Sequence, residues 1–169
     1  MNLSAVTRRL LLAAFALFLA SCATYAPPAR FSQPMTNIIA AEDHVQTTVL
    51  NSTGHLQEED RQRLAAKITD QTRAHALSNG GRGSSYDVVV GITRYERGNT
   101  AARAFLPGMG DLNIEGIVSV YQVPARIKVG EFAITKSFGA PGLYGLMTGM
   151  DTIENAFAQG VAQAVTGRR

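Results

Sequence analysis

Hydrophobic and polar residues alternate along three stretches of this chain, a fourth is rich in β-branched residues, and two others follow a helical period. HVQTTVLN at 44–51 is the Val- and Thr-rich stretch and predicts a strand. YDVVVGITRYER at 86–97 places Tyr86, Val88, Val90 and Ile92 on one face. LNIEGIVSVYQ at 112–122 sets Ile114, Val118 and Val120 against Glu115, Ser119 and Tyr121, and VGEFAITKSF at 129–138 predicts a further strand. A short strand around Asn37–Ala41 is also compatible with the pattern. Residues 57–78 predict a helix with an acidic first turn (Glu58, Glu59, Asp60) that suits the helix dipole, and NGGRG at 79–83 stops it. In the last segment Ile153, Ala156, Phe157, Gly160, Val161, Ala164 and Val165 form one apolar face of a helix, and Asp151 and Glu154 have the spacing of a capping box with Asp151 as N-cap. The order is β-α-β-β-β-α. It predicts an α+β two-layer sandwich, an antiparallel-rich sheet of about four strands with two helices packed on one face.

The N-terminus has another pattern. Arg8 and Arg9 precede the unbroken apolar run LLLAAFALFL, which is too short for a transmembrane helix and has the length of a signal-peptide core. Next comes LASC, Leu19-Ala20-Ser21-Cys22, which looks like a bacterial lipobox with cleavage between Ser21 and Cys22. Small residues fit the peptidase cleft, and the Cys22 thiol is the nucleophile that takes up diacylglycerol. Three acyl chains exceed the two signals that stable anchoring needs, at about 0.8 kcal/mol per buried methylene. The expected organisation is a signal peptide at 1–21, an acylated Cys22 with a Pro-rich tether at 22–35, and a single domain at 36–169. Extended polyproline-like chain over ATYAPPARFSQP gives a reach of roughly 35 Å from the membrane. Ala23, rather than Asp, after the acylated cysteine favours the outer membrane with the domain facing the periplasm.

Charge then narrows the partners. The formal net charge is +3, but without residues 1–21 the balance is 14 Lys and Arg against 13 Asp and Glu, which removes the case for a nucleic-acid-binding surface. Cys22 is the single cysteine, so no intrachain disulfide and no cysteine–metal site is expected. No metal-ligand spacing joins His44, His55 and His75. No serine sits in a G-x-S-x-G elbow. The glycines at 139, 142, 145 and 149 precede a helix as in phosphate-binding loops, but they lack Gly-Lys-Ser/Thr, and Asp151 and Glu154 would repel an anion there. The acids Asp87, Glu96, Asp111, Glu115 and Glu131 read as solvated charges. The expectation is a protein that is not an enzyme and uses no cofactor or metal.

Two loops stand out instead. RGNTAARAFLPGMGD at 97–111 and GAPGLYGLMTGMD at 139–151 are too apolar for ordinary exposed loops. Either both fold over the sheet and complete the core, or they form an exposed patch of the kind that marks partner contacts, made adaptable by Met and Gly. Candidate partner or ligand contacts are Arg103, Phe105, Leu106 and Met109 in the first loop and Leu143, Tyr144, Leu146 and Met147 in the second. Arg103 is also a candidate staple to Glu115.

The run RYERGNTAARAF, the loop LPGMG, the strands IEGIVSVYQ and GEFAITKSFG, the second Gly-rich loop and the closing helix together resemble the bacterial lipoproteins of domain-of-unknown-function family 4410. The resemblance covers about residues 40–166 in organisation. Its specific part is Gly98, Ala102, Arg103, Gly108, Gly110, Gly130 and Glu131. The chain departs from it at the turn Val123–Lys128. The resemblance implies a secreted, lipid-anchored α+β domain and implies no activity. Two functions are expected from the sequence: an envelope lipoprotein acting through protein–protein contacts, or a binder of a small ligand or amphiphile in a groove between the two loops.

Overall fold

The structure, a computed structural model, describes residues 25–168 apart from residues 53, 55, 77–80, 106–109 and 141. Among the described residues nine elements run in order: β1 (Arg30–Gln33), β2 (His44–Asn51), α1 (Glu58–His75), β3 (Ser85–Glu96), α2 (Thr100–Phe105), β4 (Leu112–Val123), β5 (Ile127–Phe138), α3 (Gly142–Met147) and α4 (Met150–Thr166). The strands form one five-stranded sheet in the order β1-β5-β4-β3-β2. The β3–β4, β4–β5 and β1–β5 pairs are antiparallel, whereas β2 pairs with β3 in parallel. The sheet is therefore mixed. Helix α1 crosses between β2 and β3, and a helical crossover is what lets consecutive strands run parallel as neighbours.

The fifth strand comes from the segment expected to be tether. β1 pairs with the outer edge of β5, Arg30 opposite Ala133 and Phe31 opposite Phe132, and the two rings lie 5.2 Å apart. Ahead of it Ala26 and Pro27 are buried. The Lys136 Nζ donates to the Tyr25 carbonyl at 2.7 Å. From Tyr25 onward, then, this stretch lies on the domain, and the 35 Å reach does not apply to it. Asn37–Ala41 is not a strand. Ile39 and Ala40 are buried, and the Ile39 N–H donates to the Val165 carbonyl at 2.9 Å, docking the segment on the end of α4.

One face of the sheet is covered by α1 and α4, which pack on each other. The core alternation is as the sequence sets it: Val88, Val90 and Ile92 of β3, Ile114, Val118 and Val120 of β4, and Phe132 and Ile134 of β5 meet Leu64 and Ile68 of α1 and Ile153, Phe157 and Val161 of α4. One irregularity changes which side chains of β3 reach the helices. Ile92 opposes Gly116, but Arg94 opposes Glu115, so Thr93 is an extra residue in β3. The bulge reverses the inward–outward parity, and Tyr95 instead of Arg94 faces the helices.

Helix α4 begins differently from the capping-box expectation. Gly149 occupies the N-cap in extended conformation and no side chain caps the helix, because both Asp151 and Glu154 are engaged elsewhere. At its other end Gly167 takes φ 69°, the left-handed conformation that closes a helix.

At Gly160, a β-carbon would stand 2.7 Å from the Pro27 carbonyl oxygen and 2.7 Å from Ile134 Cδ1. Gly160→Val is expected to lift residues 25–29 off α4 at about 1–3 kcal/mol. Hydrogen exchange checks this: amides of Ala29–Ser32 lose protection while those of β3 and β4 keep theirs.

Candidate functional site

Helices α2 and α3 lie against each other, so the fold brings the two apolar loops together. The base of the first loop is closed by the Asn99 N–H donating to the Gly110 carbonyl at 3.2 Å, and the Asn99 side chain accepts from the Ala102 N–H at 3.0 Å. In the second loop Leu146 and Met147 are exposed, Met147 at 77%. Arg103 and Phe105 fall in α2 and Leu143 and Tyr144 in α3, with side chains outside the described residues, as are Leu106, Met109, Ser21 and Cys22 altogether. Glu115 is partnered by Arg94 and by the Asn113 side chain.

The most concentrated chemistry lies where the sequence pointed to none. The Glu154 carboxylate is fully buried between α1, α4 and β3. It accepts from Arg63 Nε at 2.9 Å, Arg63 Nη2 at 2.8 Å, Lys67 Nζ at 2.8 Å and the Tyr95 hydroxyl at 2.7 Å. Buried Asp60 accepts from Arg63 Nη2 at 2.6 Å and from Arg97 Nη2 at 2.6 and 2.7 Å. Asp151 accepts from Lys67 at 2.5 Å. Three acids thus meet three bases. Spacing on α1 explains half of this: Asp60, Arg63 and Lys67 succeed one another at i, i+3 and i+7 on one face. The bulge in β3 supplies Tyr95.

Burial alone would push the Glu154 carboxyl up, but the hydrogen bonds from Arg63, Lys67 and Tyr95 together outweigh it and hold the group below its ordinary value. Asp60 has the same balance, burial against Arg97 and Arg63. Tyr95 is pushed up, first by burial and then by donating to Glu154, so its hydroxyl stays protonated. Every charge here is met by an opposite one. The cluster is a clamp that ties α1 to α4 and both to β3.

On the side away from α1 and α4 the sheet has a face that is open among the described residues. Leu50 of β2, Gly91 of β3, Ile117 of β4 and Ala133 of β5 stand in one cross-strand row. Leu50 is 47% and Ile117 49% exposed, with side-chain-free Gly91 between them. Next to this apolar row lies a polar one. Glu131 accepts from Lys128 at 2.5 Å, Ser119 at 2.9 Å and Ser32 at 3.1 Å. The Lys128 and Ser119 contacts, in that order, draw its carboxyl below the usual range. The Arg126 guanidinium stacks 5.4 Å from the Tyr121 ring centre.

A further concavity of about 560 Å³ lies between residues 25–29 and the last turns of α4. Among the described residues no group of three or more His, Cys, Asp and Glu side chains is placed to hold a metal ion.

The described residues form an α+β fold, a mixed five-stranded sheet with α1 and α4 packed on one face and the other face open among those residues. Among solved structures this fold is shared with PelC from Paraburkholderia phytofirmans, a dodecamer known in two crystal forms. One form, a point variant, is 13% identical with a TM-score of 0.58, covering 83% of this chain and 98% of that one. The other is 12% identical with a TM-score of 0.57, covering 83% and 99%. A candidate lipoprotein from Caulobacter crescentus CB15 aligns more loosely, with a TM-score of 0.43 and 11% identity over 75% of this chain and 85% of that one. No family model matches the sequence, family 4410 included, and no curated protein matches it.

Proposed function

We propose that this chain is a lipid-anchored cell-envelope protein, held through Cys22 at the periplasmic side of the outer membrane, that acts through protein–protein contacts and catalyses no reaction. The contact surface is the open sheet face, and its first partner is a second copy of the chain. The observation that carries this is the row Leu50–Gly91–Ile117–Ala133, which leaves two large aliphatic side chains half-exposed across the sheet, on β2 and β4. The dodecameric assembly of PelC, on a like fold, supports the reading. The lipobox LASC supports the anchor.

Ile117→Lys tests the contact. A lysine on the strip buries a charge in any contact that uses the strip, and in a two-fold contact it also sets like charges near each other. Sedimentation of the mature protein is expected to show an oligomer that Ile117→Lys reduces to monomer, with an unchanged circular dichroism spectrum. A native protein that sediments as a monomer, or an oligomer indifferent to the lysine, refutes self-association through this face.

A second reading rests on the adjacency of α2 and α3 and the exposure of Leu146 and Met147. Here a small amphiphile occupies the space between the two loops. Native mass spectrometry that finds a retained lipid or metabolite, lost in Leu146→Asp, distinguishes it from the first.

A further inference from the structure

Three of the exposed large apolar side chains gather at one end of the molecule: Tyr25 (68% exposed), Phe31 (45%) and Ile38 (51%). They line the 560 Å³ groove together with Met35 and with Ala164 of α4. Among its described lining residues Arg168 brings the one charge, and none of them carries a carboxylate side chain.

Covalent distance decides what lies in front of this groove. Cys22 precedes Tyr25 by three residues, and three residues span at most about 11 Å. The domain cannot swing freely on that leash. Tyr25 is held by Lys136, Pro27 abuts Gly160, and β1 is paired into the sheet. An acylated Cys22 therefore sets the Tyr25 end of the domain against the bilayer before any other partner reaches it. The chemistry of this end suits that place. Aliphatic and aromatic side chains seat in the boundary between headgroups and acyl chains, a tyrosine ring sits at headgroup level, and an arginine meets lipid phosphate.

We propose that the groove end of the domain docks on the phospholipid surface that holds its anchor, with Tyr25, Phe31 and Ile38 in the headgroup–acyl boundary and Arg168 against anionic headgroups. This deepens the lipid-anchor reading and rests on it. The domain is then held flat and oriented, instead of swinging on a leash, and its other faces are presented at a fixed distance from the membrane.

The chain contains no tryptophan, so a single introduced one reports its own surroundings. Phe31→Trp and Ile38→Trp probe the groove end, and Ile117→Trp on the open sheet face is the control. Each full-length protein is expressed, its intact mass read for acylation, and the product reconstituted into vesicles of phosphatidylethanolamine and phosphatidylglycerol with brominated acyl chains. Bromine quenches only tryptophan near acyl-chain depth. The expected result is an acylated mass with about two-fold quenching at Phe31→Trp and Ile38→Trp, the depth reached by an interfacial apolar face, and none at Ile117→Trp. Replacing phosphatidylglycerol by phosphatidylcholine is expected to reduce the quenching, as is Arg168→Glu. An acylated protein whose groove-end tryptophans are no more quenched than the control overturns the docking and leaves the anchor standing. A protein that carries no acyl mass overturns the anchor, and the docking that depends on it.

Discussion

Glu154→Ala is expected to cost about 3 kcal/mol of folding stability, the lower end of what removing one partner from a buried ion pair costs. The carboxylate is fully buried and accepts four hydrogen bonds. Its loss strands the Tyr95 hydroxyl without an acceptor and leaves Arg63 and Lys67 facing a hole. The lower end applies because both bases keep another acid, Asp60 for Arg63 and Asp151 for Lys67, and the Arg63 side chain is 42% exposed. Thermal melting is expected to drop by roughly 10 °C. Glu154→Gln keeps the shape and an acceptor, so it is expected to cost less. The pair also separates packing from charge through pH. Glu154, Asp60 and Asp151 all sit below their ordinary values of 4.5, 3.8 and 3.8. Groups depressed in the folded state contribute stability that is fully present above those values and is lost as pH falls through the lower folded ones. The native protein should therefore lose stability steeply below about pH 4, and Glu154→Gln should show a shallower acid limb. An equally steep acid limb in the glutamine variant would place the acid sensitivity outside Glu154, in Asp60, Asp151 or carboxylates beyond the cluster.

The clamp is illegible in the sequence for reasons that can be named. Asp151 and Glu154 have capping-box spacing, and that local reading hides the longer-range one. A signal is nevertheless present: Glu154 heads a stripe with Phe157, Ala158, Val161 and Val165, an acid on an apolar face, which calls for buried partners. Tyr95 is hidden by the bulge, since alternation from Tyr86 through Ile92 sends Arg94 inward, and only the pairing with β4 reveals the extra Thr93. β1 is hidden because RFSQ is short, flanked by proline and mostly exposed, so its strand state is set by the edge of β5 rather than by its own residues. The β2, β3, β4 and β5 strands and helices α1 and α4 are legible, because each carries a periodic apolar face long enough to specify its own burial. The parallel β2–β3 pair is not, since a strand–helix–strand order leaves open where the first strand lands in the sheet. Short helices α2 and α3 lie inside stretches whose glycines read as turns.

Phe157→Ala is expected to be the most damaging single truncation in α4, at about 4 kcal/mol, through the lost burial of the ring and the cavity left over the sheet. Phe157 is fully buried, and beneath it the sheet is thinned by a glycine, Gly116 of β4. A β-carbon at Gly116 would lie 3.4 Å from Phe157 Cζ, 3.4 Å from Ile92 Cδ1 and 3.2 Å from the Gly91 carbonyl oxygen. Gly116→Ala alone is therefore expected to cost about 1–3 kcal/mol by overpacking. In the double variant the new methyl enters space the ring has vacated, so the combined loss should fall short of the sum by about 1 kcal/mol. Denaturant titration of the two single variants and the double measures the difference. The contact with the Gly91 carbonyl remains in either background, because backbone in the middle of a sheet does not yield. If the two losses simply add, that carbonyl rather than the α4 ring is what requires glycine at 116. Gly91 and Ile117 of the open row would then be tied to the core side through the backbone of β3 and β4. If the losses couple, Gly116 is the seat of the ring, and α4 is keyed to the centre of the sheet by the same contact that completes the core.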